Sequence, residues 1–260
     1  MGNPLAGLRA VITGASDGFG LSMSRALLRA GAEVALAARP GEKLERAAAA
    51  LQAEGLPAVL LPMDVRSEES VAHAAQWVAQ HWGQPDLLVN NAGLGMARCS
   101  PDFLTSPRKF FEIEVEAFQD MVNTNLMGYF IVSKHFAPLM IRKGRGRIVN
   151  VSTGLQTMTR PGMAPYGASR AGSEALSHVM EQELREYGIT VNILLPGGPA
   201  RTGLLGQAPV PDGMAAALLP AEILDEAILF LASPEAEGLS GARIIATEFD
   251  SWLRERGLGC

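Results

Sequence analysis

The chain has 260 residues, 48% hydrophobic and 19% charged, with a formal net charge of −5. That size and apolar content suit one large α/β domain, and the acidic balance excludes the basic surface that nucleic acid or an anionic membrane requires. No apolar run reaches the roughly 18 residues of a membrane span, and Met1-Gly2-Asn3-Pro4 carries neither the charged nor the apolar part of a signal peptide. Cys99 and Cys260 are too few for a disulfide framework or a zinc site. His73, His81, His135 and His178 show no metal-ligand spacing, so no metal is expected. A cytoplasmic protein is the expectation.

Strand-like apolar runs alternate with helical patterns along the whole chain. Residues 9–13 read as a first strand, 18–30 as a helix stopped by Gly31, and 33–38 as a second strand. An Ala/Leu-rich helix over 43–54 ends at Gly55 and leads to a third strand over 58–63. Ser67 is placed to cap a helix whose first turn carries Glu68 and Glu69, which suits the helix dipole. A fourth strand over 86–90 precedes a long helix over 114–142, then a fifth strand over 147–152. Residues 166–187 read as a helix ended by Gly188, 190–195 as a sixth strand, 221–231 as a helix and 242–247 as a seventh strand. Strands that are apolar throughout and alternate with helices imply a parallel sheet covered on both faces. The expected fold is a single-domain α/β protein, a Rossmann-type doubly wound parallel sheet of about seven strands. Ligands of such sheets bind outside the carboxyl ends of the strands.

The loop after the first strand is Thr13-Gly14-Ala15-Ser16-Asp17-Gly18-Phe19-Gly20. Its glycines let the backbone approach a pyrophosphate, and the helix it opens offers free N–H groups and a positive dipole end. The second strand ends in Ala38-Arg39, where an acidic residue would select NAD. A small residue followed by a cation suits the 2′-phosphate of NADP, whereas Asp17 adds a negative charge that argues the other way. Further on, Tyr166-Gly167-Ala168-Ser169-Arg170 places a phenol and a cation one helical turn apart. A cation there favours the phenolate, the arrangement wanted in a general acid or base.

The glycine loop, Asn90-Asn91-Ala92-Gly93 after the fourth strand and the Tyr-x-x-x-basic spacing, in this order, resemble the short-chain dehydrogenases/reductases over almost the whole chain. The resemblance implies a nicotinamide cofactor held by Gly14, Ala15, Ser16, Asp17, Gly18, Phe19 and Gly20. Arg39 would favour NADP(H) over NAD(H), and Asp64-Val65 would contact adenine. Asn90, Ala92 and Gly93 would support the sheet centre and touch the ribose, and Pro196, Gly197, Pro199 and Thr202 would hold the carboxamide. Asn125 matches the residue that anchors a water in the family's proton relay. Thr153, 13 residues before Tyr166, stands where the family usually has Ser, with Ser152 pointing the other way. Tyr166 matches the acid/base. Arg170 matches a Lys that bonds the ribose and polarises the Tyr. A homo-oligomer, dimer or tetramer, is implied as well.

Three departures qualify the resemblance. Arg170 carries charge and donors but cannot release a proton into a relay. The 32 residues from Gly93 to Asn125 are longer than usual, with the excess within 96–111, as a pocket wall, a subunit contact or a surface insertion. Ala246-Thr247-Glu248-Phe249-Asp250 replaces a common Asp-Gly-Gly. A substrate loop is expected at about 197–220, where Leu204, Leu205, Met214, Leu218 and Leu219 suggest a partly apolar pocket and Arg98, Arg160 and Arg201 lie near its mouth. The expected activity is hydride transfer between NADP(H) and a small carbonyl or secondary alcohol. Non-redox chemistry on a bound nucleotide, or a regulatory role without catalysis, is the alternative that Arg170 raises.

Overall fold

Seven strands pair in parallel in the order β3-β2-β1-β4-β5-β6-β7. They are β1 (Arg9–Thr13), β2 (Glu33–Ala38), β3 (Val59–Pro62), β4 (Leu87–Asn90), β5 (Gly146–Val151), β6 (Ile189–Leu195) and β7 (Arg243–Ile245). The helices are α1 (Gly18–Arg29), α2 (Glu42–Ala53), α3 (Glu68–Trp82), α4 (Val115–Val122), α5 (Gly128–Ile141), α6 (Leu155–Thr159), α7 (Ala164–Leu184), α8 (Asp212–Ala215), α9 (Asp225–Ala232) and α10 (Phe249–Glu255). This computed structural model describes residues 3–206 and 208–258. The expectations about Met1-Gly2 and Cys260 lie outside the described residues. Among those described, no helix is long and apolar enough to cross a membrane.

Alternation along each strand builds two cores from one sheet. Ile12, Leu36, Val89, Val149, Leu194 and Ile244 face one way, against Met23 and Leu27 of α1 and Phe230, Phe249 and Trp252 of α9 and α10. Val11, Ala35, Leu61, Leu88, Ile148 and Val191 face the other, against Val71 and Val78 of α3, Val132 and Phe136 of α5 and Met180 of α7. Since both faces are covered, apolar residues dominate each strand, and the extent of β1 and β2 is readable from hydropathy. The chain crosses from β3 to the far side of β1 to begin β4. This reversal opens the crevice at the carboxyl ends of β1 and β4 where a ligand belongs.

Caps follow the expected chemistry in two places. The Ser67 hydroxyl accepts from the Ser70 N–H at 3.2 Å, and Gly188 takes the left-handed conformation (φ 70°) that ends the turn after α7. The segment 114–142 is not one regular helix. A π-helical turn over Asn123–Met127 separates α4 from α5, and it sits at the residue expected to be functional, Asn125. The last strand is shorter than expected because Ala246–Glu248 tightens into a 3₁₀ turn that leads into α10. Segment 221–231 likewise begins as a 3₁₀ turn, Ala221–Leu224, before α9. Gly167 in α7 lies so close to α6 that a Cβ would run into the Met158 carbonyl.

Asp225, at the start of α9, accepts from the Ser22 hydroxyl of α1 at 2.9 Å through Oδ2, while its Oδ1 is buried without a partner. Burial pushes its pKa up to about 6. The folded state therefore binds this proton more tightly than the unfolded chain. The resulting stability is present below the unfolded value, near 4, and is lost as pH rises toward 6. Asp225→Asn, discounted for partial solvent access, should raise Tm at pH 7.5 by about 2–4 °C. Thermal melts across pH should show that gain shrinking toward pH 4. A gain of equal size at both pH values would place its origin elsewhere.

Candidate active site

The glycine loop is built for close backbone approach. Gly14 (φ 66°) and Gly18 (φ 51°) take left-handed conformations. At Gly20 a Cβ would run into the Gly14 carbonyl, so α1 can start only where it does if residue 20 is glycine. The Thr13 hydroxyl accepts from the N–H groups of Asn91 (2.9 Å) and Ala92 (3.0 Å), and the Asn91 amide donates to the Thr13 carbonyl (2.8 Å). Three bonds thus tie the ends of β1 and β4 together. Ala15 and Gly20 are buried, while Ser16, Asp17, Gly18 and Phe19 form the half-exposed rim. Positive-φ glycines before a twelve-residue helix fit a pyrophosphate.

Charges at the ends of β2 and β3 pair off unevenly. Asp17 accepts from the Gly18 N–H at 2.7 Å and from Lys43 at 2.8 Å. Burial works against its charge, but these partners more than offset that and lower its pKa. The expected penalty of Asp17 toward a phosphate is therefore answered by Lys43, a residue the sequence did not single out. Asp64 is held by Arg66 through both carboxylate oxygens, which lowers its pKa. Val65 is buried against Gly128. Arg39 is exposed, close enough to Asp64 to help hold its charge, and in no ion pair among the described residues.

Asn90 takes the sheet-centre part of its expected role. It is fully buried (0% exposed), donating to Ser133 Oγ (3.0 Å) and Asn150 Oδ1 (2.8 Å). It braces the sheet centre, whereas Ala92 and Gly93 are half-exposed at the crevice. The brace continues: Asn150 donates to Ser177, Ser177 to the Ser173 carbonyl and Ser173 to the Arg170 carbonyl. Asn125 is also 0% exposed. Its Oδ1 accepts from Leu94 N–H (2.7 Å), and its amide donates to the Leu94 carbonyl and to Ser169 Oγ (3.0 Å each). Both donors are committed, so the side chain is a strut between the β4 loop and α7.

Tyr166 and Arg170 meet beside Gly93 beyond β4, and Thr153 stands two residues past the end of β5. Ser152 is buried, and Thr153 is half-exposed with a hydroxyl that bonds no described residue. Arg243 donates to the Thr153 carbonyl at 3.0 Å and is itself paired with Glu174 at 3.0 Å. The Arg170 guanidinium, 3% exposed, lies 5.4 Å from the Tyr166 ring centre and against Gly93, where a Cβ would run into Nη2. It also donates to Tyr129, a residue that the sequence reading passed over. A tyrosine in an apolar helix gives no more signal than a core residue.

The insertion divides in two. Met96 and Phe103 are buried with Met121, Met163, Ala208 and Tyr166 in one apolar cluster, flanked by Leu204 and Leu205 of the substrate loop. That half is a wall of the site. Phe110 and Phe111 are exposed. Met214 and Leu218 lie outside this cluster, and Leu219 packs over Gly198. Pro199 and Arg201 bond Leu219, which closes the loop on itself. Thr202 packs over Gly18, and Gly197 (φ 94°) sits beneath Thr247. Arg98 is paired with Asp120 at 2.7 Å, whereas Arg160 and Arg201 are exposed.

Comparison with known proteins agrees with this geometry. The chain is 33% identical over 251 residues to a 3-oxoacyl-[acyl-carrier-protein] reductase of Pseudomonas aeruginosa, covering 92% of this chain and 96% of that one. It superposes with a TM-score of 0.82 and 28% identity on a gluconate 5-dehydrogenase of Burkholderia cenocepacia in complex with NADP and tartrate, over 96% and 97% of the two chains. A 3-ketoacyl-(acyl-carrier-protein) reductase of Brucella melitensis complexed with NADH gives 0.80 and 28%, over 93% and 97%. Residues 9–209 match the sequence profile described as short chain dehydrogenase. The chain belongs to the short chain dehydrogenase family of enzymes.

Proposed function

We propose that this enzyme is an NADP(H)-dependent reductase of small carbonyl compounds, running in reverse as a secondary-alcohol dehydrogenase. The observation that carries the reading is Arg170 set between the Tyr166 ring and Gly93 and bonded to Val151 at the end of β5, two residues before Thr153. The nicotinamide cofactor, when bound, supplies or accepts the hydride. Residues 14–20 would hold its pyrophosphate, Ala92, Gly93 and Arg170 its ribose, and Pro196, Gly197, Pro199 and Thr202 its carboxamide.

The chain's own groups handle the oxygen of the substrate. The Thr153 hydroxyl donates to the carbonyl oxygen and stabilises negative charge as it develops. Tyr166 gives that oxygen its proton, or takes it back in the reverse direction. Arg170 keeps a fixed positive charge beside the Tyr166 ring in a site shielded from water, where its field is strong. Met96, Phe103, Met121 and Met163 meet the rest of the substrate, which favours an apolar body beside the carbonyl over a polyhydroxylated one. NADP(H) is favoured because Lys43 and Arg66 neutralise Asp17 and Asp64, leaving Arg39 for a 2′-phosphate. Val115, Phe118 and Phe130, exposed along α4 and α5, offer a face for a homodimer or tetramer.

Two measurements test this. Tyr166→Phe should lower carbonyl-dependent NADPH oxidation by about 10²–10⁴-fold while NADPH still binds; undiminished turnover would sink the assignment of the acid. Arg39→Ala should raise the KM for NADPH about ten-fold and leave that for NADH unchanged, as expected for one lost charge-assisted contact. Equal effects on both cofactors would remove Arg39 from the 2′-phosphate.

A further inference from the structure

Arg170 is a buried cation with no carboxylate partner among the described residues. Its Nη1 donates to Tyr129 Oη at 2.8 Å and to the Val151 carbonyl at 2.9 Å. Its Nε is buried with no partner, and its Nη2 rests against Gly93. Tyr129, on α5 and 2% exposed, closes the arrangement by donating its own hydroxyl to the Val151 carbonyl at 2.9 Å. The guanidinium lies 5.6 Å from the Tyr129 ring centre and 5.4 Å from that of Tyr166. Burial pushes the Tyr129 phenol up despite the neighbouring guanidinium, so this hydroxyl stays protonated.

The two phenols beside the cation have different standing. The Tyr129 oxygen accepts from Arg170 and gives its only proton to Val151, so it has no proton for a substrate. Tyr166 faces the same guanidinium, its ring centre 5.4 Å away, and its hydroxyl donates to no group among the described residues. A guanidinium is a plane with donors on several edges. Fixing one edge fixes where the others point. The Tyr129–Val151 corner holds Nη1, and the plane then presents Nη2 on the Gly93 side, toward the crevice.

We propose that Tyr129 is a positioning residue that makes an arginine workable at position 170. It anchors the far edge of the guanidinium so that the near edge meets the cofactor ribose beside Tyr166. A lysine, with one compact ammonium on a flexible stem, would not require that anchor. The inference rests on the reading of this crevice as a nicotinamide site.

The test uses Tyr129→Phe, Arg170→Lys and the double variant, with NADPH and NADH titrated by fluorescence and melting followed in parallel. Tyr129→Phe should raise the Kd for NADPH about ten-fold, in line with losing a hydrogen bond to a charged group. In the Arg170→Lys background the same change should move Kd by less than about two-fold, so that Lys rescues the loss of the phenol. Unchanged binding by Tyr129→Phe in an otherwise native protein overturns the inference alone. So does an equal loss in both backgrounds, which would mean that Tyr129 acts through packing. If Tyr129→Phe fails to fold, the double variant decides: it must fold and bind like Arg170→Lys, and its failure to do so also overturns the proposal. A native protein that binds neither nucleotide overturns the cofactor reading and this inference together.

Discussion

Taking a positive charge out of water is expensive, and Arg170 does so deep in the molecule, beside two phenols, a carbonyl and a glycine. The surrounding structure is arranged to tolerate that charge. The Val151 carbonyl at the end of β5 faces it, two aromatic rings lie within cation–π distance, and Gly93 removes the side chain that would collide with it. The same charge lies beside both Tyr129 and Tyr166, and of the two only Tyr129 spends its hydroxyl proton on a protein carbonyl among the described residues. Structure and chemistry thus share one group.

The strain of placing polar residues deep in an α/β core is relieved by a continuous line of donors and acceptors. It runs from Ser133 and Asn90 through Asn150, Ser177 and Ser173 to the backbone of Arg170. Asn125 adds a second tie, from the β4 loop to Ser169 one residue before the arginine. Buried polar networks in a low-dielectric interior are geometrically exacting, and this one leaves Asn90 Oδ1 without a partner among the described residues. These two lines fix α7 along its axis relative to the sheet, and with it the height of Tyr166 above β5. Arg243 does the equivalent for Thr153 from the other side.

How much of this was legible depended on the kind of signal. β1 and β2 were readable to the residue because strands buried on both faces are continuous apolar runs bounded by polar turns. The site motif was readable because Tyr166 and Arg170 lie on one helix, and the glycine loop because its glycines answer to local backbone needs. Contacts between distant segments left no such trace. Tyr129 and Arg170 are 41 positions apart, Thr153 and Arg243 are 90, and nothing local distinguishes either partner from a core tyrosine or a surface arginine. α6, only five residues long, has no room for a helical period, and α10 was hidden behind a strand read too far. Lys43 looked like one of several surface charges until the fold set it beside Asp17.

The meeting of the insertion with the substrate loop has a kinetic consequence. A Cβ at Gly95 would press on the backbone and side chain of Leu204, so these segments touch almost main chain to main chain above a Tyr166 that is 7% exposed. Nothing of a substrate's size passes such a seam without parting it. In the proposed reaction, the interval between one turnover and the next would include the time this seam takes to part, a motion of the microsecond-to-millisecond class. The same closure would keep water from the carbonyl.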